Sequence, residues 1–209
     1  MKLPRPPLLV ITDRRQAKKP LEDVLAAAFK AGCRWASVRE KDLPRDEQVA
    51  LARRLSTLAR DWGAHLTLHG SPVLAQDAGL DGVHLPAGAN VAVAREMLGR
   101  AALIGISLHR PEEAEQLDPT LVDYAIAGPA YATPSKPEIA RTLGMVGIEK
   151  ITNATKVPII AIGGVTAGAI AEMHVAGAVG VAVMGGIMRA DDPHREVQGL
   201  VAAMKPGLF

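Results

Sequence analysis

The alternation of short apolar runs with longer amphipathic stretches is the feature that most constrains this chain. Eight runs rich in aliphatic or β-branched residues are predicted strands, and stretches of helical periodicity separate them. Eight strand–helix units in 209 residues give about 26 residues per unit, which is near the lower size of a closed eight-stranded β/α barrel. The predicted strands are 8–12, 35–39, 65–69, 82–85, 103–107, 124–126, 158–162 and 180–184.

The sequence therefore predicts an α/β fold, a single-domain (β/α)8 TIM barrel over residues 1–209. An open doubly wound sheet is the structural alternative. The helix pattern is clearest at 21–31, 45–61 and 166–176. A last helix is predicted after Asp192 and Pro193, because an acidic N-cap followed by proline favours a helix start.

Composition excludes several classes of protein. The single cysteine, Cys33, permits neither an internal disulfide nor a cysteine-rich zinc site. Nucleic-acid binding is not expected, because aromatic residues make up 3% of the chain and the cations form no basic run. No stretch of eighteen apolar residues occurs, so no membrane span is expected and the predicted location is cytoplasmic.

Two glycine pairs follow the last two predicted strands. The active site of such a barrel lies at the carboxyl ends of its strands, and the loops after the seventh and eighth strands commonly hold a phosphate through peptide N–H groups and a helix start. Glycine allows the backbone to approach such an anion closely. We therefore predict a phosphate site, although each pair is also compatible with a simple turn. Its predicted residues are Gly163, Gly164, Met184 and Gly185.

Cationic side chains share one face of the second strand. Alternation along the strand places Ser37, Arg39 and Lys41 together. If this face points into the barrel, the two charges need a compensating anion, and a polyanionic ligand is the simplest one. The alternative is a structural ion pair between Arg39 and Asp13 or Glu40.

Two further strand exits carry polar side chains. Ser107 and His109 share a face of the fifth strand, and His109 is the imidazole best placed for proton transfer at the barrel mouth. His69 and His84 remain further candidates at neighbouring strands. The loop after the sixth strand suits a second anionic group or a lid, or is simply a surface loop, and its predicted ligand contacts are Thr133, Ser135 and Lys136.

The exits of the third and fourth strands lack carboxylates. They read HGS at 69–71 and PAGA at 86–89. Because a magnesium ion carrying a diphosphate prefers carboxylate ligands, we predict no metal site and no cofactor.

Six segments, in order, resemble the thiamine-phosphate synthase and thiazole tautomerase superfamily over nearly the whole chain. The resemblance implies a β/α barrel that binds a small phosphorylated thiazole as its ligand, and it suggests a homodimer. The segments are LLVITD at 8–13, SVREKD at 37–42, GVHLP at 82–86, IGIS at 104–107, AIGGV at 161–165 and GVAVM at 180–184.

The differences from the synthase pattern favour the tautomerase branch. Ser37 replaces a glutamine, Gly185 replaces a serine, and the metal-binding acids are missing. The segments LPAG at 85–88 and SLH at 107–109 resemble the tautomerases instead. The resemblance then implies that His109 moves a proton between ring tautomers of a carboxythiazole phosphate, with Arg39, and Lys136 as a second candidate, facing the carboxylate.

Two alternatives remain open. The first is a thiamine-phosphate synthase, which joins a hydroxymethylpyrimidine diphosphate to thiazole phosphate, releases diphosphate and uses magnesium. The second is a non-catalytic regulator that binds a phosphorylated ligand.

Overall fold

The fold is a closed barrel of eight parallel strands in a computed structural model that describes residues 3–135 and 142–204. Each strand pairs with the next in sequence, and the first pairs with the last. The predicted TIM barrel is confirmed, and each strand lies within two residues of its predicted bounds. The strands are β1 (Leu8–Ile11), β2 (Trp35–Val38), β3 (His65–His69), β4 (Gly82–Leu85), β5 (Leu103–Leu108), β6 (Tyr124–Ala127), β7 (Ile159–Ile162) and β8 (Gly180–Val183).

Helices surround the barrel in the described part of the chain. The helix predicted at 166–176 divides into a 3₁₀ turn, Ala167–Ala169, and a short α-helix. None of the helices in the two described ranges is both long and apolar enough to cross a membrane. The helices are α1 (Leu21–Lys30), α2 (Arg45–Asp61), α3 (Pro72–Ala78), α4 (Val91–Leu98), α5 (Pro111–Ala114), α6 (Gly144–Asn153), α7 (Ile170–Val175), α8 (Gly185–Met188) and α9 (Pro193–Ala203).

Alternation along each strand separates two cores. Leu8 and Val10 of β1 pack against the helices, whereas Leu9 and Ile11 point to the barrel axis. The strands are apolar on both faces because both faces are buried. The core inside the barrel consists of Leu9, Ile11, Trp35, Tyr124, Ile126, Ile160 and Ala182.

A tyrosine and a tryptophan fill the barrel below its carboxyl end. Their rings meet edge to face with centroids 4.7 Å apart, and both side chains are fully buried. Gly105 on β5 lies opposite Tyr124 in the register, and a Cβ at Gly105 would overlap the tyrosine ring. The missing side chain on β5 therefore makes room for the ring that closes the barrel.

Gly105→Ala is expected to lower the free energy of unfolding by about 1–3 kcal/mol, because the added methyl group enters a filled interior. Equilibrium urea denaturation measures the change. Gly199→Ala is the control, because a Cβ there meets nothing within 4 Å on α9, and it is expected to be neutral or to add up to about 1 kcal/mol. A Gly105→Ala protein as stable as its parent would contradict the packing described here.

Candidate functional site

A cavity of about 690 Å³ opens at the carboxyl ends of the strands, a volume within the range of roughly 300–1,000 Å³ that is usual for small-molecule sites. The structure brings ten of the eleven predicted site residues to its walls. The eleventh, Lys136, lies outside the described residues. The ten are Arg39, Lys41, Ser107, His109, Thr133, Ser135, Gly163, Gly164, Met184 and Gly185.

Arg39 faces the cavity without a carboxylate partner among the described residues. Its backbone N–H donates to the Thr12 hydroxyl over 2.9 Å. The neighbouring Glu40 is buried on the other side, where it accepts from the Thr12 hydroxyl at 2.7 Å and from the backbone N–H of Arg14 at 3.1 Å. The Arg14 guanidinium also reaches Glu40, at 3.4 Å. The alternative of a structural ion pair between Arg39 and Glu40 is therefore wrong, since Glu40 pairs with Arg14.

Two imidazoles form a polar layer directly above the apolar core. His69 Nδ1 lies 3.0 Å from the Ser37 hydroxyl, and His84 Nε2 lies 2.9 Å from the Ser107 hydroxyl. The two rings are 4.3 Å apart. Burial first, and the positive charge of Lys41 second, lower the pKa of His84 to about 3. The His84 ring is therefore neutral at physiological pH and takes part as a hydrogen-bonding group.

His109 is exposed at the mouth of the cavity, where its ring has a defined orientation. Its Nδ1 lies 2.9 Å from the carbonyl oxygen of Gly128. A carbonyl only accepts, so Nδ1 carries a proton and Nε2 is the nitrogen left for a ligand. The backbone N–H of His109 donates to Glu113 at 2.7 Å, which fixes the start of the following loop.

The glycine pair after β7 has a structural role beside any contact with a phosphate. Gly163 and Gly164 adopt φ values of +99° and +62°, which favour glycine. A Cβ at Gly163 would crowd Pro129, and one at Gly164 would crowd Tyr131. The loops after β6 and β7 therefore approach each other closely, and this contact leaves backbone rather than side chains at that wall of the cavity.

Sequence reasoning missed five polar residues of the cavity wall, and two of them, Gln16 and Arg189, are hydrogen-bonded to each other. The other three are Thr166, Arg195 and Glu196. Arg189 Nη1 donates to Gln16 Oε1 and lies 3.4 Å from the Ser135 hydroxyl. The Ser135 hydroxyl in turn donates to Gln16 Oε1 at 3.2 Å. The one available signal was the position of Arg189 one helical turn after Gly185, which brings it back to the exit of β8.

The described residues do not fit a magnesium ion held by the protein. They contain no group of three or more histidine, cysteine or acidic side chains arranged to hold a metal. Within the described cavity wall the carboxylates are Asp13 and Glu196. Both oxygens of Asp13 already accept hydrogen bonds, from the Arg15 N–H at 3.1 Å and from Gln16 Nε2 at 2.5 Å.

The family model and the relatives described next share thiamine-phosphate synthase or pyrophosphorylase names. The family model described as thiamine monophosphate synthase matches residues 8–187. A thiamine-phosphate synthase from Roseiflexus sp. strain RS-1 is 32% identical, over 95% of this chain and 85% of its own. Another from Moorella thermoacetica is 33% identical, over 88% of each chain. The structure of a thiamine phosphate pyrophosphorylase from Pyrococcus furiosus superposes with a TM-score of 0.83 at 30% identity, covering 94% of each chain.

The expectation of a thiazole tautomerase, an isomerase, is wrong, because these matches all carry synthase or pyrophosphorylase names. The shuttle between ring tautomers that the resemblance implied for His109 belongs to that reaction, whereas proton transfer by His109 at the barrel mouth stays a prediction from its position on β5. The physical reason for the error is that an imidazole at a strand exit and missing acids describe the cavity wall, while neither specifies which bond of the ligand reacts.

Stability is expected to fall as the pH is lowered from about 6.5 toward 3 through the imidazole of His84. The unfolded chain binds a proton there below about pH 6.5, whereas the buried ring stays neutral until about pH 3. The contribution of the neutral His84 ring to the free energy of unfolding is fully present above pH 6.5. Between about pH 6.5 and 3 it is lost with a slope of up to about 1.4 kcal/mol per pH unit.

Equilibrium unfolding of the parent and His84→Gln at several pH values between 7 and 4 measures the difference in slope. Glutamine retains a hydrogen-bonding group for Ser107 but does not titrate. His194→Gln, on α9 outside the cavity wall, is the matched substitution. Parallel curves for the parent and His84→Gln would show that the buried ring does not carry the effect.

Proposed function

The chain belongs to the thiamine monophosphate synthase family, and on this premise we propose that it is a thiamine-phosphate synthase. As a transferase it joins a hydroxymethylpyrimidine diphosphate to a thiazole phosphate and releases diphosphate. The observation that carries the proposal is the charge of the cavity. Its described wall holds four lysine or arginine side chains and two carboxylates, namely Arg39, Lys41, Arg189 and Arg195, and Asp13 and Glu196. A cavity with this excess of cations suits two phosphorylated substrates.

The reaction breaks one bond and forms one. The bond between the pyrimidine methylene carbon and the diphosphate oxygen breaks, and its electron pair leaves with the diphosphate. The ring nitrogen of the thiazole donates its lone pair to the same carbon, which forms the new C–N bond. Negative charge therefore develops on the leaving oxygen, and a fixed cation beside it lowers the barrier more than it stabilises the bound substrate.

Arg39 and Lys41 provide this charge at the exit of β2. The half-buried Arg39 has no described carboxylate partner, so its guanidinium is available for two parallel hydrogen bonds to a phosphoryl group. Lys41 adds a point charge closer to solvent. Because the described residues do not fit a protein-held magnesium ion, we assign no step to one.

The remaining walls suit the two flat rings and the second phosphate. Ile11, Ile126 and Ile162 form an apolar surface in the cavity, which excludes water from a heteroaromatic ring. Ser107 and His109 offer hydrogen-bonding groups at the exit of β5. In this proposal the backbone around Gly163, Gly164, Met184 and Gly185 binds the thiazole phosphate, with Thr133 and Ser135 above it, so that the thiazole nitrogen is held in line with the methylene carbon.

The purified protein is expected to form thiamine phosphate and diphosphate from the two substrates. Chromatography detects the thiamine phosphate, and an enzymatic assay detects the diphosphate. Arg39→Gln is expected to lower kcat/KM by about 10- to 100-fold, since it removes a charged hydrogen bond to the leaving group. Arg60→Gln is the matched control, because Arg60 is exposed on α2 and bonds Ser56 of its own helix. Failure of the parent to form either product with both substrates present would rule out the proposed function.

A further inference from the structure

Arg189 lies where its charge has no described acidic partner. It follows β8 by one turn of helix, with its backbone N–H bonded to the Gly185 carbonyl at 3.0 Å. Its described side-chain partners, Gln16 and Ser135, are both neutral acceptors. Within the described chain, no residue accepts a hydrogen bond from its Nε or Nη2, and Arg189 lines the cavity, so these donors remain available to a ligand.

Gln16 fixes the guanidinium rather than neutralising it. The Gln16 Nε2 group donates to Asp13 at 2.5 Å, and because a carboxylate only accepts, the amide oxygen is turned toward Arg189. Asp13 thus orients the Gln16 amide, and this amide lies between the Asp13 carboxylate and the Arg189 guanidinium. The loop after β1 is also fixed to the segment after the neighbouring strand β8, since the backbone N–H of Lys18 donates to the Met188 carbonyl at 3.0 Å.

The space that the guanidinium occupies exists because residue 185 is glycine. A Cβ on the buried Gly185 would overlap both terminal nitrogens of Arg189 and lie 2.5 Å from the Ser135 hydroxyl. These atoms are the ends of flexible side chains, so an added methyl group would displace them at small cost to the fold. Gly185, Arg189, Gln16 and Ser135 therefore form one unit at the exits of β1, β6 and β8.

We propose that Arg189, oriented by Gln16 and Ser135 in the space beside Gly185, is a phosphoryl-binding residue of the cavity. A half-buried guanidinium with neutral partners gains most from an anion that accepts two parallel N–H bonds, and a phosphoryl group has this shape. Arg189 thereby supplies positive charge where the described chain has no carboxylate cluster for a magnesium ion. The inference rests on the proposed function only for the identity of the phosphorylated ligand.

Calorimetric titration with inorganic diphosphate tests the proposal without turnover, once in EDTA and once in magnesium. The parent is expected to bind diphosphate in EDTA, and Arg189→Gln is expected to raise Kd by about tenfold or more. Arg189→Lys keeps the charge but loses the planar pair of donors, so its Kd is expected to lie between those two. Arg60→Gln removes the same charge outside the cavity and is expected to keep the parent Kd.

A second arm uses Gly185→Ala, alone and combined with Arg189→Gln. The methyl group is expected to raise Kd by about fivefold in the parent and by less than about twofold when Arg189 is already replaced, because both changes remove one interaction. Titration with hydroxyethylthiazole phosphate in place of diphosphate then identifies which phosphoryl group Arg189 binds. The ligand whose affinity falls more in Arg189→Gln carries the phosphoryl group that Arg189 binds.

The outcomes separate this proposal from the synthase proposal. Unchanged diphosphate and thiazole phosphate affinities in Arg189→Gln, in both buffers, would overturn it, even if thermal unfolding showed that the substitution loosens the loops. Absence of binding to the parent in both buffers, or equal effects of Gly185→Ala in the two backgrounds, would also overturn it. Binding that depends on Arg189 in a protein that forms no thiamine phosphate would retain the subsite and reject the proposed function.

Discussion

A strand in a closed barrel directs only every second side chain toward the axis, and this constraint determines the cavity of this protein. In β2 the same alternation that sends Trp35 into the apolar interior continues to Ser37 and then to Arg39 at the exit. Glu40, one position out of phase, is buried on the opposite side with Thr12 and Arg14. A shift of one residue in this strand would exchange a cation for a carboxylate at the mouth.

This alternation explains which parts of the site were predictable. Arg39, Ser107 and His109 were assigned from strand period alone, and the structure places all three on the cavity wall. Gln16 and Arg189 do not follow from strand alternation, because Gln16 lies on a loop and Arg189 follows a four-residue helix. Their positions depend on the packing of two chain segments about 170 residues apart, which the backbone bond from Lys18 to Met188 records and which a single sequence does not encode locally.

The choice between reactions failed for a different reason. The absence of acids at the exits of β3 and β4 bears only on how charge is compensated in the cavity, and it does not distinguish proton transfer from group transfer. The structure puts His69 at the end of β3 and the buried His84 within β4, hydrogen-bonded to Ser37 and Ser107. The same barrel mouth accommodates a different set of polar groups without changing the family of the protein, which illustrates why fold and motif order fix the chemistry less tightly than the reacting atoms do.

The aromatic pair that fills the barrel also sets how deep a ligand can lie in the cavity. Trp35 and Tyr124 fill the described interior beneath the cavity. A ligand in the cavity therefore rests on a floor of packed aromatic rings, and the amino-terminal half of the barrel is left to stability alone.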